Sequence, residues 1–138
     1  MITIRKQEIV KLEDVLHLYQ AVGWTNYTNQ PQMLKQALSQ SLVIYLALDG
    51  DAVVGLIRLV GDGFSSVFVQ DLIVLPSYQR QGIGRSLMKE ALEDYKDAYQ
   101  VQLVTDQTER TLGFYRSMGF EILSTYNCIG MTWMNREK

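Results

Sequence analysis

Between Pro76 and Leu92 the chain reads PSYQRQGIGRSLMKEAL, and the residue types in this stretch suit the binding of an anion. Gly82 and Gly84 stand just ahead of an apolar-periodic segment, and Arg80, Arg85 and Lys89 surround its start. A helix N-terminus carries partial positive charge and N–H groups without partners, so cations there are unfavourable unless something negative is bound. The opening GRSLMK holds no acid, and the first acidic residue is Glu90. A strand, a glycine turn and a helix in that order form an anion site, with glycines where a Cβ would obstruct the ligand. A bound phosphate accounts for the glycines and the cations together; the alternative is a plain loop with solvated arginines. The dinucleotide fingerprint fails because Leu87 stands where its third glycine belongs, and no G-K-[ST] string exists for a P-loop. The expected ligand is therefore neither a dinucleotide nor a P-loop triphosphate.

Gln70 and Asp71 are the polar residues of the otherwise apolar run VFVQDLIVL, Val67 to Leu75. A buried carboxylate costs free energy unless it is paired or useful. Strand side chains alternate, so the two are expected on opposite faces. Asp71 either accepts a proton from an ammonium, directly or through a water, or is satisfied by neighbouring backbone. Trp24 and Tyr27, among Thr, Asn and Gln in VGWTNYTNQP, either hold an apolar or cationic amine or cap the core. One histidine, His17, expected at the surface, and one cysteine, Cys128, make no familiar metal site, and no metal is expected.

These groups need a scaffold, and the pattern supplies one. ITIR reads as a first strand and Leu12 to Val22 as a helix. Pro31 opens a second short helix carrying Met33, Leu34, Ala37 and Leu38. LVIYLAL (42–48) and AVVGLIRLV (52–60) make a hairpin about DGD, and GDG (61–63) turns into Ser66 to Leu75. That strand is apolar at consecutive positions, so it is expected to be central and buried on both faces. Ile83 to Lys96 is the strongest helix, 101–105 a strand, Thr108 to Met118 a helix stopped by Gly119, and 120–134 two last strands. The expected fold is a single α/β (α+β) domain over 1–138, a mixed, mostly antiparallel sheet with about four helices, in the order β-α-α-β-β-β-α-β-α-β-β. The 138 residues suffice for one well-cored domain. With 47% apolar and 20% charged residues and net charge −2, nothing indicates disorder or a general nucleic-acid surface. No apolar run approaches the roughly 20 residues of a membrane helix. A lone cysteine and the lack of a signal-peptide pattern point to a cytoplasmic setting.

LIVLPSYQRQGIGRSLM resembles the acetyl-CoA-binding motif of the GNAT superfamily of N-acetyltransferases, with Gln79-Arg80-Gln81-Gly82-Ile83-Gly84 as its [QR]-x-x-G-x-[GA] part. LGFYRSMGF, Leu112 to Phe120, is similar to a second signature of the same superfamily, and the order of elements agrees over nearly the whole chain. The resemblance implies a small, bacterial-type, single-domain member. It implies that backbone amides from Gln81 through Ile83 to Arg85 hold the pyrophosphate of CoA. It also implies that the strand end, Leu72, Ile73 and Val74, pairs with the thioester and pantetheine arm through main-chain groups. Leu72 N–H would polarise the acetyl carbonyl, and Tyr115 would protonate the departing thiolate. Two positions depart from the pattern: Phe68 stands where some members carry a glutamate base, and Thr108 where an asparagine often contacts the cofactor. The cofactor motif is similar as well to that of serotonin-type arylalkylamine acetyltransferases.

The expected activity is direct transfer of acetyl from acetyl-CoA to a primary amine on a small molecule or peptide. The protein is expected to act as a monomer or homodimer without nucleic-acid or membrane partners. A silent acyl-CoA-binding module is the rival from another class. A tRNA-acetylating toxin is the rival within the superfamily, and the acidic chain argues against it.

Overall fold

The computed structural model describes residues 1–135, and the chain divides into two compact units, Met1–Leu103 and Val104–Lys138. The first opens with β1 (Ile2–Gln7), α1 (Leu12–Ala21), the one-turn α2 (Thr25–Thr28) and α3 (Pro31–Ser39). It continues with β2 (Val43–Asp49), β3 (Ala52–Gly61), β4 (Val67–Val74), α4 (Ile83–Asp94) and β5 (Val101–Leu103). The strands form one sheet in the order β1-β2-β3-β4-β5. The first four are an antiparallel meander, and β5 returns through α4 to lie parallel to β4. Proline starts α3, as the sequence indicates. α2 falls inside the expected loop and is too short to leave a periodic trace.

Helices pack on both faces of the sheet, as the alternation of strand side chains dictates. On one face Val15, Leu18 and Tyr19 of α1 and Leu34 and Leu38 of α3 form a buried cluster with Ile44, Leu46, Leu56 and Ile73. On the other, α4 turns Ile83, Leu87, Met88 and Ala91 inward. Each large apolar side chain buried this way contributes roughly 1.5–3 kcal/mol. Gly55 lets α4 settle: a Cβ there would stand 2.9 Å from the Ile73 carbonyl oxygen and 3.5 Å from Leu87 Cδ1.

β4 differs from expectation in two respects. The middle strand is β3, and β4 alternates, with Val67, Val69, Asp71 and Ile73 buried and the residues between them half-buried or exposed. The consecutive apolar residues reflect two unlike environments rather than two equally buried faces.

The second unit holds α5 (Glu109–Ser117) and a 3₁₀ turn at Leu123–Tyr126. Thr108 caps α5, its hydroxyl accepting from Thr111 N–H at 3.2 Å. The two last strands expected over 120–134 are not formed among the described residues. Local bonds take the backbone instead: Thr125 N–H to Ile122 O, Asn127 N–H to Ser124 O and Cys128 N–H to Leu123 O. Asn127 adopts the left-handed conformation at φ 58°. Strand-like composition makes no strand without a neighbouring edge, and among the described residues of this unit there is none.

Candidate functional site

The glycine turn is built from β4 outward. After a 3₁₀ turn at Pro76–Tyr78, the Tyr78 hydroxyl donates to Asp49 Oδ2 at 2.6 Å, anchoring the turn to the β2–β3 hairpin. Gln79 Nε2 donates back to the Val74 carbonyl at 3.1 Å. Arg80 and Gly82 then take left-handed backbone, φ 66° and 80°. Gly82 is the N-cap of α4 and offers no side-chain cap. The first intrahelical bond is Ser86 N–H to Gly82 O, so the amides of Ile83 and Gly84 have no intrahelical acceptor. A Cβ on Gly82 would meet nothing within 4 Å. The space a side chain would fill is open, beside unpaired helix amides, which fits a diphosphate.

Left-handed backbone is costly for arginine. Arg80→Gly is expected to relieve roughly 1 kcal/mol and to raise Tm by a few degrees. Thermal melting checks this: a Tm below that of the parent would mean that the Arg80 side chain itself stabilises the fold.

Upstream, the register of β4 decides which main-chain groups face outward. Leu75 N–H bonds Val54 O at 2.9 Å, and the pairs Leu56↔Ile73, Ile57↔Leu72 and Arg58↔Asp71 continue the ladder. Hydrogen-bonded and non-bonded pairs alternate in an antiparallel ladder. Asp71 and Ile73 therefore direct N–H and C=O towards β3, while Leu72 and Val74 direct theirs to the opposite edge. On that edge β5 pairs only with Val67, Phe68 and Val69. Beyond Val69 no strand of the sheet covers the Leu72 and Val74 groups. Ile73 differs from its two neighbours: its main chain belongs to the β3 ladder, and its side chain, 1% exposed, lies in the core.

Gln70 and Asp71 depart from the expected alternation. Arg58 pairs with Asp71 but Leu59 with Val69, which leaves Gln70 as the extra residue of a bulge. Both side chains consequently reach one hydroxyl: Tyr27 Oη donates to Asp71 Oδ1 at 3.0 Å and accepts from Gln70 Nε2 at 3.4 Å. Asp71, 2% exposed, also accepts from Tyr19 Oη at 2.8 Å and from Arg58 Nε at 2.7 Å. Burial, with the Asp71 charge next in weight, pushes the phenols of Tyr19 and Tyr27 up. Burial opposes the charge of Arg58, yet the Asp71 carboxylate beside it more than offsets this and raises its pKa. Asp71 and Arg58 form a buried ion pair, in which removing either partner would leave the other charge uncompensated.

Trp24 and Tyr27 are half-buried beside Tyr19, their rings 6.1 and 5.1 Å from its centroid, and both pack against the core cluster. They cap the core, and the Tyr27 hydroxyl also meets Gln70 at the bulge. His17, at the surface, meets the Val53 carbonyl at 2.7 Å through Nε2. Exposed Cys128 lies near the Tyr126 carbonyl. Among the described residues no cluster of His, Cys, Asp and Glu suits a metal, and no helix is long and apolar enough to cross a membrane.

In the second unit Tyr115 is half-buried and packs edge-on against Phe114 and Phe120 at 5.0 and 5.9 Å. Burial and the Asp106 charge hold its phenol above the ordinary value, opposed by a hydrogen bond with Thr105. The Thr108 hydroxyl serves the helix cap and donates to Asp106 Oδ1 at 3.1 Å. Its hydroxyl thereby serves the start of α5.

The residue that sequence reasoning missed is Arg58. Its signal was legible: one cation inside an apolar strand, opposite the one acid of the next strand.

Known proteins resemble this chain in sequence and in fold. The profile of the acetyltransferase (GNAT) domain matches residues 40–122. A GNAT family acetyltransferase, SP0256 from Streptococcus pneumoniae TIGR4, is 82% identical over 99% of each chain, with a TM-score of 0.91. Serotonin N-acetyltransferase 2, chloroplastic, of Oryza sativa subsp. japonica is 32% identical over 95 residues, covering 66% of this chain and 48% of that protein. The chain thus spans about half the length of this curated relative. The PaiA N-acetyltransferase of Thermoplasma acidophilum, solved in complex with coenzyme A, shares the fold at 19% identity and TM-score 0.67, over 87% of this chain and 91% of that one.

Proposed function

Because the chain belongs to the GNAT acetyltransferase family, we propose that it transfers acetyl from acetyl-CoA to a primary amine of a small molecule or peptide. The observation that carries this reading is the continuity of two features: the outward main-chain edge at Leu72 and Val74 runs directly into the open glycine turn at the start of α4. Acetyl-CoA supplies the activated thioester. The amides of Gln81 to Arg85 hold its diphosphate, with Arg80, Arg85 and Lys89 adding charge. Leu72 and Val74 align its amide-bearing arm as a further strand would be aligned. Leu72 N–H stabilises negative charge developing on the acetyl oxygen. Tyr115, kept protonated by its raised pKa, gives its proton to the leaving thiolate. No side chain is assigned as base: the amine reaches the site neutral or loses its proton to water. Trp24, Tyr27 and Gln70 border the acceptor. The exposed thiol of Cys128 suits a reducing, cytoplasmic setting.

Thiol release from acetyl-CoA, measured over a panel of aryl, alkyl, polyamine and peptide amines, tests the reading. Amine-dependent release is expected. CoA binding without release for any amine would leave a binding module instead. In parallel, CoA is expected to raise Tm, by roughly 2.7 kcal/mol of added stability at 100 times Kd. Gly82→Val, which fills the open space and strains a left-handed position, is expected to abolish that shift. An unchanged shift would move the diphosphate away from this turn.

A further inference from the structure

Arg58 is 4% exposed, and its guanidinium reaches three segments. Nε donates to Asp71 of β4. Nη1 reaches Ser41 Oγ at 3.2 Å and the Ala37 carbonyl at 3.4 Å, at the end of α3. Nη2 reaches the Tyr27 hydroxyl of α2 at 3.3 Å. Its pairing with Asp71 is the last regular step of the β3–β4 ladder before the bulge at Gln70. A bulge changes the count of paired residues by one, and a slip of one residue exchanges inward and outward groups. Here such a slip would turn Asp71 and Ile73 to the open edge and withdraw Leu72 and Val74. The same network orients Gln70: the Tyr27 hydroxyl gives its proton to Asp71, so it accepts from Gln70 Nε2, and Gln70 Oε1 is turned away from the network. A buried ion pair is by itself weak evidence for stability. This one stands where register decides which amides a ligand meets.

We propose that Arg58 is a positioning residue for acyl transfer: by bridging Asp71 across the last regular β3–β4 pair and holding Tyr27, it fixes the register that turns Leu72 N–H outward and the Gln70 carbonyl oxygen towards the acceptor. Its catalytic consequence rests on the function proposed above; the register itself is read without turnover.

The decisive comparison is a triple variant, Arg58→Met, Asp71→Val and Tyr19→Phe, which removes the buried polar groups together and leaves no orphaned charge. Replacing a buried ionic cluster by apolar residues is often neutral for stability. With Tm near that of the parent and CoA affinity retained, amine turnover is expected to fall at least about tenfold. Amide hydrogen exchange at Ile73 should rise by a similar factor. Parental turnover and parental exchange in a stable triple variant would overturn the proposal. Should the triple variant not fold, Arg58→Lys decides: it keeps the charge but loses the fork to Ala37, Ser41 and Tyr27. Its turnover is expected to drop several-fold at unchanged CoA Kd, with faster Ile73 exchange; parental values for both would refute positioning. If the parent acetylates no amine, the proposed function fails, and the exchange measurement still decides the role of Arg58.

Discussion

Tyr115→Phe is expected to slow turnover by roughly 10²–10⁴-fold while leaving CoA affinity near that of the parent. The ring contacts to Phe114 and Phe120 survive the change, and only the hydroxyl, hydrogen-bonded with Thr105, is lost. Stability should therefore fall by no more than about 1 kcal/mol. The phenol is raised from 10.0, chiefly by burial, so its acid form persists through neutral pH and beyond pH 10. An alkaline loss of activity centred below that range would belong to another group. The loss of turnover should shrink for acyl donors whose thiolates are weaker bases, because these need less protonation. Turnover and CoA dissociation measured on one preparation settle the role. Full turnover with weakened CoA binding would make Tyr115 a packing or cofactor contact.

Asp71→Asn is expected to destabilise the protein by about 3–5 kcal/mol, because a buried guanidinium then loses its counter-charge and two tyrosine hydroxyls lose a charged acceptor. At this chain length that corresponds to a fall in Tm of about 10 °C or more. The ratio of parental to variant rates, taken at a temperature where both are folded, should be flat with pH. A proton-accepting Asp71 gives the opposite profile: the loss is greatest at low pH, where little free amine exists, and vanishes as pH nears the pKa of the amine. A ratio that collapses towards one with rising pH would restore Asp71 as the base.

Both expectations depend on features of differing legibility. The glycine turn, α4 and the two hairpins could be read from the chain because each is written in local chemistry: glycine at positive φ, apolar residues at helical spacing, turn residues between alternating runs. The bulge at Gln70 could not. Alternation assigned Gln70 and Asp71 to opposite faces, and only the pairing with β3 shows an extra residue there. For the same reason the chain alone does not separate Ile73 from Leu72 and Val74, since which amides face outward is a property of two strands and not of one. Thr108 illustrates a competition: the position recommended a ligand contact, and local capping took the hydroxyl. The stretch 120–134 has the composition of strands, yet within 122–128 short-range turns take the backbone bonds. Arg58 was within reach, as a charge that an apolar strand does not carry without a partner.

The shortness of β5 has a consequence for mutational mapping. It stops at Leu103, opposite Val69, and so leaves Leu72 and Val74 to offer peptide groups rather than side chains. Every residue except proline has the same N–H, so an alanine scan along β4 would report packing and pass over hydrogen bonding at these two positions. Removing one donor takes proline or an ester in place of the amide, neither of which ordinary sequence drift samples with the backbone intact. Recognition of the kind proposed for this edge is silent in side-chain chemistry: a ligand held by peptide groups leaves the side chains at those positions free to diverge.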